Sequence, residues 1–324
     1  MRIHYRAIHK TEVDAALRLW HEVFGVEEWY FRSTLDAEPT RKLYQTLAAF
    51  EDDGTMVSAV HFFVRPTRRP DGVPERMGAI GNVATLERAR RQGHSTRLLE
   101  MAIENMRRER CVWSMLMTGV NHHYERLGWK TVPTRHREGG LSRQPCAATE
   151  GIEVRRHDPL AEPRCWEPFQ AIHRVYNRVR PLTHVRPNVY WPLVVQPRLQ
   201  NPPKAVWTAR SQGSSEPPAY LVAHLGDREA AVLELGWMPN GRECTGALLE
   251  AFRAEAAGKG VERVRLHLPD DPVLEPHLQA AFPGLETRTS GHVMVRPIAD
   301  GVTMEELEER FRLPGAHHWP LDDF

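Results

Sequence analysis

Residues 88–99, RARRQGHSTRLL, place four arginines around one glycine and follow an apolar stretch at 77–86. A strand that leads through a tight turn into a helix exposes unpaired backbone N–H groups, and the helix dipole there attracts anions. A glycine at that point lets a ligand approach the backbone, and arginine and hydroxyl side chains can bind phosphate oxygens. We therefore expect an anion site formed by Arg90, Arg91, Gln92, Gly93, His94, Ser95 and Thr96.

The spacing around Gly93 does not fit two common nucleotide-binding patterns. It is not the G-x-x-x-x-G-K-(S/T) of a P-loop, and no G-x-G-x-x-G precedes a suitably placed acidic residue. Bulk charge offers no other explanation, because 43 Lys and Arg nearly cancel 42 Asp and Glu. The anion site must therefore be local, and neither nucleic acid nor an anionic membrane is an expected partner.

A second group of residues, NHHYERLGW at 121–129, follows about thirty residues later. The pattern predicts a short helix that carries Tyr124 and ends before Gly128 and Trp129. A phenol with an ordinary pKa of about 10 keeps its proton at pH 7, so the side chain of Tyr124 could donate one.

Together the two stretches resemble motifs A and B of the GNAT superfamily of acetyl-CoA-dependent acyltransferases. The family pattern (Q/R)-x-x-G-x-(G/A) corresponds to residues 90–95, with Ser95 in place of the usual Gly or Ala. The resemblance implies that acetyl-CoA is the co-substrate, that the loop binds its pyrophosphate and that Tyr124 acts as the acid. It also implies that the preceding strand pairs its backbone with the pantetheine arm through Asn82, Val83, Ala84 and Thr85.

Hydrophobic periodicity predicts an α/β (α+β) fold of two similar halves. The turn dipeptide Asp53-Gly54 predicts a hairpin between 45–51 and 55–64, and a helix is expected at 95–106. The polar, turn-rich stretch 138–150 indicates a linker. A strand, a helix and a strand then recur about 150 residues later, at 232–237, 242–258 and 261–268, which indicates a tandem repeat of one mixed-sheet fold.

We expect a catalytic GNAT domain at 1–140, a degenerate GNAT-like domain at 151–299 and a tail at 300–324. The second half has neither the glycine loop nor the tyrosine pattern, so it should not bind coenzyme A. We expect the second half to cover one face of the first sheet, to complete the acceptor pocket and to carry the tail.

The tandem arrangement resembles the Eis-type (enhanced intracellular survival) acetyltransferases over roughly the first 300 residues. Those proteins usually add a sterol-carrier-like domain, for which this sequence is too short. The resemblance also implies a homo-oligomer. In that family the chain's terminal carboxylate reaches the active site as a candidate base, and here the corresponding group is that of Phe324. The alternative is that Trp319 and Phe324 only pin the tail to the surface.

In the expected reaction, a primary amine of a small molecule or a peptide attacks the thioester carbonyl directly. The attack takes place in a ternary complex. A lysine-like amine has a pKa of about 10.4 and must lose a proton before it attacks. Glu27, Glu28 and Asp36 follow the first helix, where this fold often forms the acceptor cleft, and could attract a polycationic acceptor. They could equally be exposed helix charges.

Two other functions are weighed against acetyl transfer. A regulatory protein could bind acyl-CoA without acetylating anything, but it would have no need of Tyr124. An RNA-binding module could use the arginine pairs at 65–70 and 105–110, but acidic residues elsewhere favour solvated faces. No metal is expected, because His122-His123 and His317-His318 have no carboxylate or cysteine at ligand spacing.

Cysteine usage and the N-terminus bear on the compartment. Cys111, Cys146, Cys165 and Cys244 are widely spaced and form no C-x-x-C pair, which fits a reducing environment. The first residues have no apolar signal-peptide core, and no apolar run has the length of a membrane span. We therefore expect a cytoplasmic protein.

Overall fold

The computed structural model describes residues 2–36, 38–39, 41–142 and 150–324, so Cys146 and residues 143–149 of the expected linker lie outside it. Its strands, in chain order, are β1 (His4–Ala7), β2 (Thr46–Phe50), β3 (Met56–Arg68), β4 (Pro74–Thr85), β5 (Trp113–Met117), β6 (Lys130–Thr131), β7 (Thr134–Gly140), β8 (Ile152–His157), β9 (Ala205–Ser211), β10 (Ala219–Leu225), β11 (Glu229–Trp237), β12 (Arg263–Leu266), β13 (Glu286–Ser290) and β14 (Val293–Pro297). Its helices are α1 (Val13–Phe24), α2 (Glu28–Asp36), α3 (His94–Arg108), α4 (Asn121–Glu125), α5 (Phe169–Tyr176), α6 (Gln196–Gln200), α7 (Cys244–Gly258), α8 (Glu275–Ala281) and α9 (Met304–Arg312).

The α/β class predicted from the sequence is confirmed. In the described residues the strands form two seven-stranded sheets, ordered β1-β2-β3-β4-β5-β14-β6 and β13-β7-β12-β11-β10-β9-β8. Each sheet has one parallel pair, β4–β5 or β11–β12, among antiparallel neighbours. The hairpin expected at Asp53-Gly54 joins β2 to β3, and Gly54 has a φ of 87° that favours glycine.

Helices cover both faces of the first sheet. α3 buries the apolar face predicted for it, which consists of Leu98, Leu99, Ala102, Ile103 and Met106. α1 covers the opposite face, where Leu17 and Trp20 pack against Ala59 of β3 and Ala84 of β4. Because neighbouring residues of a strand point to opposite faces, the two helices bury alternate residues of the same strands.

The two halves exchange their last strands. β7 belongs to the first half of the chain but lies between β12 and β13 of the second sheet. β14 belongs to the second half but lies between β5 and β6 of the first sheet. The sheets therefore do not follow the expected division at residues 140 and 151, and residues 138–140, expected in the linker, are part of β7.

The remaining cysteines are buried thiols. Cys111, Cys165 and Cys244 form no disulfide in the described part of the chain. Burial raises the pKa of Cys111 to about 12 and the pKa values of Cys165 and Cys244 to about 11. These thiols therefore stay protonated at neutral pH. Within the described ranges, no helix combines the length and the apolar character that crossing a membrane requires.

Candidate active site

β4 and β5 separate in the middle of the first sheet. Their parallel ladder ends at the pair Ile80–Leu116, whereas β4 continues for five more residues to Thr85. Gly81 and Met117 are the first residues beyond that pair. The backbone of residues 81–85 therefore has an edge on the β5 side that the ladder does not use, and an extended ligand could pair with it.

An irregularity in the neighbouring ladder accompanies this separation. The register of β3 and β4 shifts between Ala59 and His61, opposite Asn82 and Val83. Asn82 has a φ of 51°, in the left-handed region that asparagine tolerates better than most residues. Such a bulge bends a strand and redirects its backbone groups, as is common beside active sites.

The glycine loop lies between β4 and α3, as the sequence predicts. Gly93 has a φ of 81° and directly precedes the first helical residue. A Cβ built on Gly93 would meet no atom within 4 Å, so the space above the loop is open. α3 is 15 residues long, and the positive end of its dipole faces this space. The geometry fits an anion of pyrophosphate size.

Side chains brace the loop from both ends. Arg90 Nε donates to the carbonyl oxygen of Thr85 at 3.2 Å, and the exposed Arg88 forms two hydrogen bonds with Glu51. Gln92 Nε2 donates to the carbonyl oxygen of Arg88 at 3.2 Å. Arg90, Arg91 and Gln92 are all exposed, so their side chains can reach a ligand.

Ser95 connects the loop to the tyrosine helix, whereas His94 does not behave as expected. Ser95 Oγ lies 3.3 Å from His123 Nε2 of α4. The His94 ring is buried, and its Nδ1 lies 2.7 Å from the Tyr5 hydroxyl. The imidazole of His94 therefore faces the protein interior, and only its backbone N–H can serve the loop. Thr96 is partly exposed beside it.

Tyr124 lies at the end of β5 where the strands separate. Its ring packs against Trp129 with 6.2 Å between centroids, in the hydrophobic cluster that also holds Ile80 and Leu116. Burial raises the pKa of the Tyr124 phenol to about 12, and a hydrogen bond with Thr118 acts in the opposite direction. The phenol therefore keeps its proton throughout the physiological range, but it is a weaker acid than an exposed tyrosine.

The tail brings the carboxyl group of Phe324 to the first sheet. A Cβ built on Gly81 would lie 3.7 Å from the carboxyl carbon of Phe324. The Phe324 ring packs against Phe63 of β3 with 6.3 Å between centroids. This carboxyl group lies beside Gly81 of β4, and Tyr124 contacts Thr118. Both Gly81 and Thr118 are just beyond the last β4–β5 pair.

Buried polar contacts hold the tail in place. Trp319 is fully buried and its Nε1 donates to Asn177 Oδ1 at 3.0 Å. Arg186 Nε donates to Asp322 Oδ1 at 2.8 Å, and the same guanidinium donates twice to Glu234 of β11. All three charged side chains are buried, so each depends on the others for its solvation. The second sheet thus fixes the position of the last residues over the first sheet.

A cleft of about 890 Å³ opens beside the tail. It runs from Met117, at the end of β5, past the β13–β14 turn to the segment 311–318. Asp323 and His318 of the tail form part of its wall. Its charged lining includes arginines and carboxylates: Arg135, Arg265, Arg312, Glu138, Asp270 and Asp323.

The three acidic residues expected to attract the acceptor lie elsewhere. Glu28 begins α2, Glu27 is exposed just before it, and Asp36 is exposed at its end. Asp36 Oδ1 lies 3.5 Å from an Arg41 nitrogen. None of the three lines the 890 Å³ cleft. The prediction that they bind the acceptor therefore gains no support from this geometry.

The adjacent histidine pairs have separate environments. His122 and His123 lie on α4, and His317 and His318 lie between α9 and the C-terminus. Among the described residues, no group of three or more potential ligands is arranged to hold a metal ion.

Comparison with known proteins agrees with this geometry. The family described as acetyltransferase (GNAT) domain matches residues 4–132, which include the glycine loop and Tyr124. No curated protein sequence is significantly similar to this chain. Residues 4–132 are therefore a GNAT acetyltransferase domain, and the enzyme class predicted from the sequence, an acetyl-CoA-dependent acyltransferase, is confirmed.

Solved structures share the fold over most of the chain. A probable N-acyltransferase from Enterococcus faecalis is 14% identical, with a TM-score of 0.70 over 92% of this chain and 73% of that one. A GCN5-related N-acetyltransferase from Kribbella flavida is 18% identical, with a TM-score of 0.67 over 91% and 71%. Eis1 from Mycobacterium abscessus is 16% identical, with a TM-score of 0.60 over 92% and 74%. The similarity to the Eis-type fold is thus confirmed.

The sequence did not indicate the groups that hold the tail. Arg186 is separated by 136 residues from Asp322 and by 48 residues from Glu234. No local spacing connects them, and each looks like an ordinary surface charge. The one available indication was the ending WPLDDF, whose aromatic and apolar residues suggest a docked segment.

Proposed function

We propose that this chain transfers an acetyl group from acetyl-CoA to a primary amine by direct attack in a ternary complex. One observation carries the proposal. The edge of β4 that β5 leaves unused runs from Gly81, where the carboxyl group of Phe324 lies, to Thr85, which precedes the open glycine loop, and Tyr124 contacts Thr118 just after β5. A ligand with an anionic end and an extended arm would place its far end between that carboxyl group and Tyr124.

The loop and the strand would bind the two parts of acetyl-CoA. The N–H groups at the start of α3, with Arg90, Arg91 and Gln92, would hold the pyrophosphate, and each hydrogen bond to a charged group contributes about 1.5–3 kcal/mol. Residues 82–85 would pair with the amides of the pantetheine arm. Asn82, with its positive φ, lies at the bulge of this strand.

Proton transfers would involve groups at the far end of the arm. The amine nitrogen would attack the thioester carbonyl carbon, whose oxygen a backbone N–H of residues 81–85 can polarise. Tyr124 would give its proton to the sulfur as the C–S bond breaks. The carboxyl group of Phe324 would pair with the incoming ammonium and take part in its deprotonation.

The acceptor itself is proposed only as a class. The cleft beside Asp323 has a lining of both charge signs, together with apolar side chains such as Met117, Leu182 and Phe311. This lining suits an amine with an apolar body better than it suits a polycation. The polycationic acceptor expected from Glu27, Glu28 and Asp36 stays a prediction, which the same amine screen will test.

The test combines binding with turnover. We expect calorimetric titration to give micromolar affinity for acetyl-CoA, and a panel of amines to release free coenzyme A thiol. A variant with one glycine added after Phe324 keeps the ring but moves the carboxylate, and it should bind acetyl-CoA normally while turnover falls at least tenfold. Binding without turnover for any amine would favour the regulatory acyl-CoA-binding protein instead. Absence of binding would refute the proposal.

A further inference from the structure

His318 lines the cleft, lies next to the ring of Phe324 and has no role in the proposed reaction. Its Nε2 lies 3.0 Å from Asp323 Oδ1, and its ring centroid is 6.2 Å from that of Phe324. Both His318 and Asp323 line the cleft. Within the described part of the chain, Nδ1 of His318 forms no hydrogen bond. That nitrogen is therefore available to a molecule in the cleft.

The contact with Asp323 sets what this imidazole can do. A carboxylate that accepts a hydrogen bond from Nε2–H favours the tautomer in which Nδ1 carries a lone pair. The same carboxylate stabilises the imidazolium that forms when Nδ1 takes a proton. Asp323 therefore orients the ring of His318 and leaves Nδ1 with a lone pair that can take a proton.

We infer that His318, oriented by Asp323, accepts the proton of the acceptor ammonium. The inference rests on the proposed acetyl transfer and assigns a base within it. The carboxyl group of Phe324 then holds the ammonium by its charge, while Nδ1 of His318 removes the proton.

A comparison of basicity favours the imidazole over a carboxylate. An α-carboxyl group has a pKa of about 3.5, an imidazole about 6.5 and an alkylammonium about 10.4. Transfer of the proton to the imidazole is therefore about three pKa units less unfavourable than transfer to the carboxylate. A base that titrates near the working pH is also the more efficient general base.

The histidines nearest to His318 carry no charge. His184, whose ring centroid lies 5.0 Å away, and His317 are buried, and burial lowers their pKa values well below 6.5, so both stay neutral. Asp322 lies behind His184, with 3.6 Å between Oδ1 and Nδ1. The titratable and charged groups on the other walls of the cleft are Arg135, His136, Glu138, Arg265, His267, Asp270, His292 and Arg312.

The step balances in atoms and charge. The ammonium gives one proton to Nδ1 of His318, and the freed lone pair forms the C–N bond to the carbonyl carbon. The C–S bond breaks with its electron pair on sulfur, which takes the proton of Tyr124. The nitrogen then loses its second proton, which restores Tyr124, and His318 releases its proton to solvent.

The experiment compares two amines of similar shape with different pKa values. We would assay 2-phenylethylamine and its β,β-difluoro analogue, whose fluorines bring the amine pKa below an assay pH of 8, so that most of it is already neutral. His318→Gln should lower kcat/KM for the first amine about 100-fold, as loss of a general base does, and for the second less than fivefold. Asp323→Asn should lower kcat/KM for 2-phenylethylamine about tenfold. It should also move the acidic limb of the pH profile to lower pH.

Controls separate the inference from the proposed function. His224→Gln changes an exposed histidine of β10 and should leave both rates unaltered. Acetyl-CoA affinity should stay within twofold in every variant. Equal losses for both amines in His318→Gln, or an unchanged acidic limb, would overturn the assignment of His318 while acetyl transfer stands. If the unmodified chain acetylates neither these nor other amines, the proposed function fails first.

Discussion

The glycine loop of the first half and the corresponding region of the second half start from nearly the same backbone. In each sheet a four-residue parallel ladder ends, at Ile80–Leu116 in one and at Val232–Leu266 in the other. In each, the first strand continues for five residues with a bulge against its antiparallel neighbour. Asn82 and Glu234 each lie two residues beyond the last pair. The same backbone arrangement is thus present twice, and it is called the platform below.

The two copies differ in what occupies that platform. Gly93 has open space above it, whereas a Cβ on Gly241 would lie 2.5 Å from the carbonyl oxygen of Pro218. Glu234 is buried under Arg186 and Asp322, so the second copy is filled by the chain's own tail. In the second half this backbone arrangement thus anchors the tail, and the tail ends beside the candidate site of the first half.

The largest expected effect distinguishes the two glycines. Gly93→Ile forces a β-branched residue to a φ of 81° and fills the loop, so loss of two hydrogen bonds to charged oxygens should weaken acetyl-CoA binding at least 100-fold. Gly241→Ala should leave that affinity unchanged and lower the free energy of unfolding by about 1–3 kcal/mol, because Pro218 must move. Calorimetric titration and urea unfolding measure the two quantities.

Gly25→Ile is the matched control for the backbone strain at Gly93. Gly25 has a φ of 66° after α1 and also meets no atom within 4 Å. This variant should lose stability but keep its acetyl-CoA affinity. If Gly25→Ile weakens binding as much as Gly93→Ile does, general unfolding rather than the loop explains the loss.

Next in size is the loss expected from Tyr124→Phe. Removing the phenolic proton should lower kcat about 100-fold, while acetyl-CoA affinity changes less than twofold. Tyr44→Phe removes a hydroxyl beside the same hydrophobic cluster and should have no effect on kcat. Because burial raises the pKa of Tyr124 to about 12, ionisation of this phenol should cause no loss of activity between pH 7 and 10. Full turnover in Tyr124→Phe would remove it as the acid.

A substitution in the second half should lower turnover at the site of the first half, because the tail connects the two. Asp322→Asn weakens the contact with Arg186 but leaves Arg186 paired with Glu234, so the fold should survive at a cost of about 1–3 kcal/mol. We expect kcat/KM to fall about tenfold with unchanged acetyl-CoA affinity. In a chain already lacking Phe324 the same substitution should have little further effect. Additive losses in that double variant would show that Asp322 acts by another route.

The smallest effects concern stability in acid. Burial lowers the pKa of His61 to about 3 and that of His267 to about 4, against 6.5 in the unfolded chain. Below pH 6.5 the unfolded chain therefore binds more protons, and stability falls until the pH reaches the folded pKa. By pH 5 each histidine should cost about 2 kcal/mol. Urea unfolding at pH 7.5 and pH 5 measures this loss, and His61→Gln and His267→Gln should each reduce it.

Local patterns predicted the parts of the site that are continuous in sequence. The 95–106 helix, the turn at Gly93 and the short helix of Tyr124 each depend on residues within about ten positions of one another. The strand exchange was not predicted, because β7 reads TRHREGG and has neither β-branched alternation nor apolar residues. β14, VMVRP, does look like a strand, but nothing in its residues indicates which sheet it joins.

His94 shows the limit of reading a motif by position. It lies inside the anion-binding pattern, yet its ring turns inward to Tyr5, 89 residues earlier. The direction of the first side chain of a helix depends on packing, and the packing partners can be distant in sequence. The backbone role of such a loop is therefore predictable, and the role of each side chain in it is not.

The position of β14 also constrains the order of events during synthesis. β6 is made about 160 residues before the strand that must lie between it and β5. At about 5–20 residues per second, the ribosome takes roughly 10–30 s to supply that strand. Until then the nascent chain carries an open sheet edge at β5 beside the candidate active site, and such edges pair readily with other chains. Early chaperone binding is therefore most useful to this protein while its second half is still being translated.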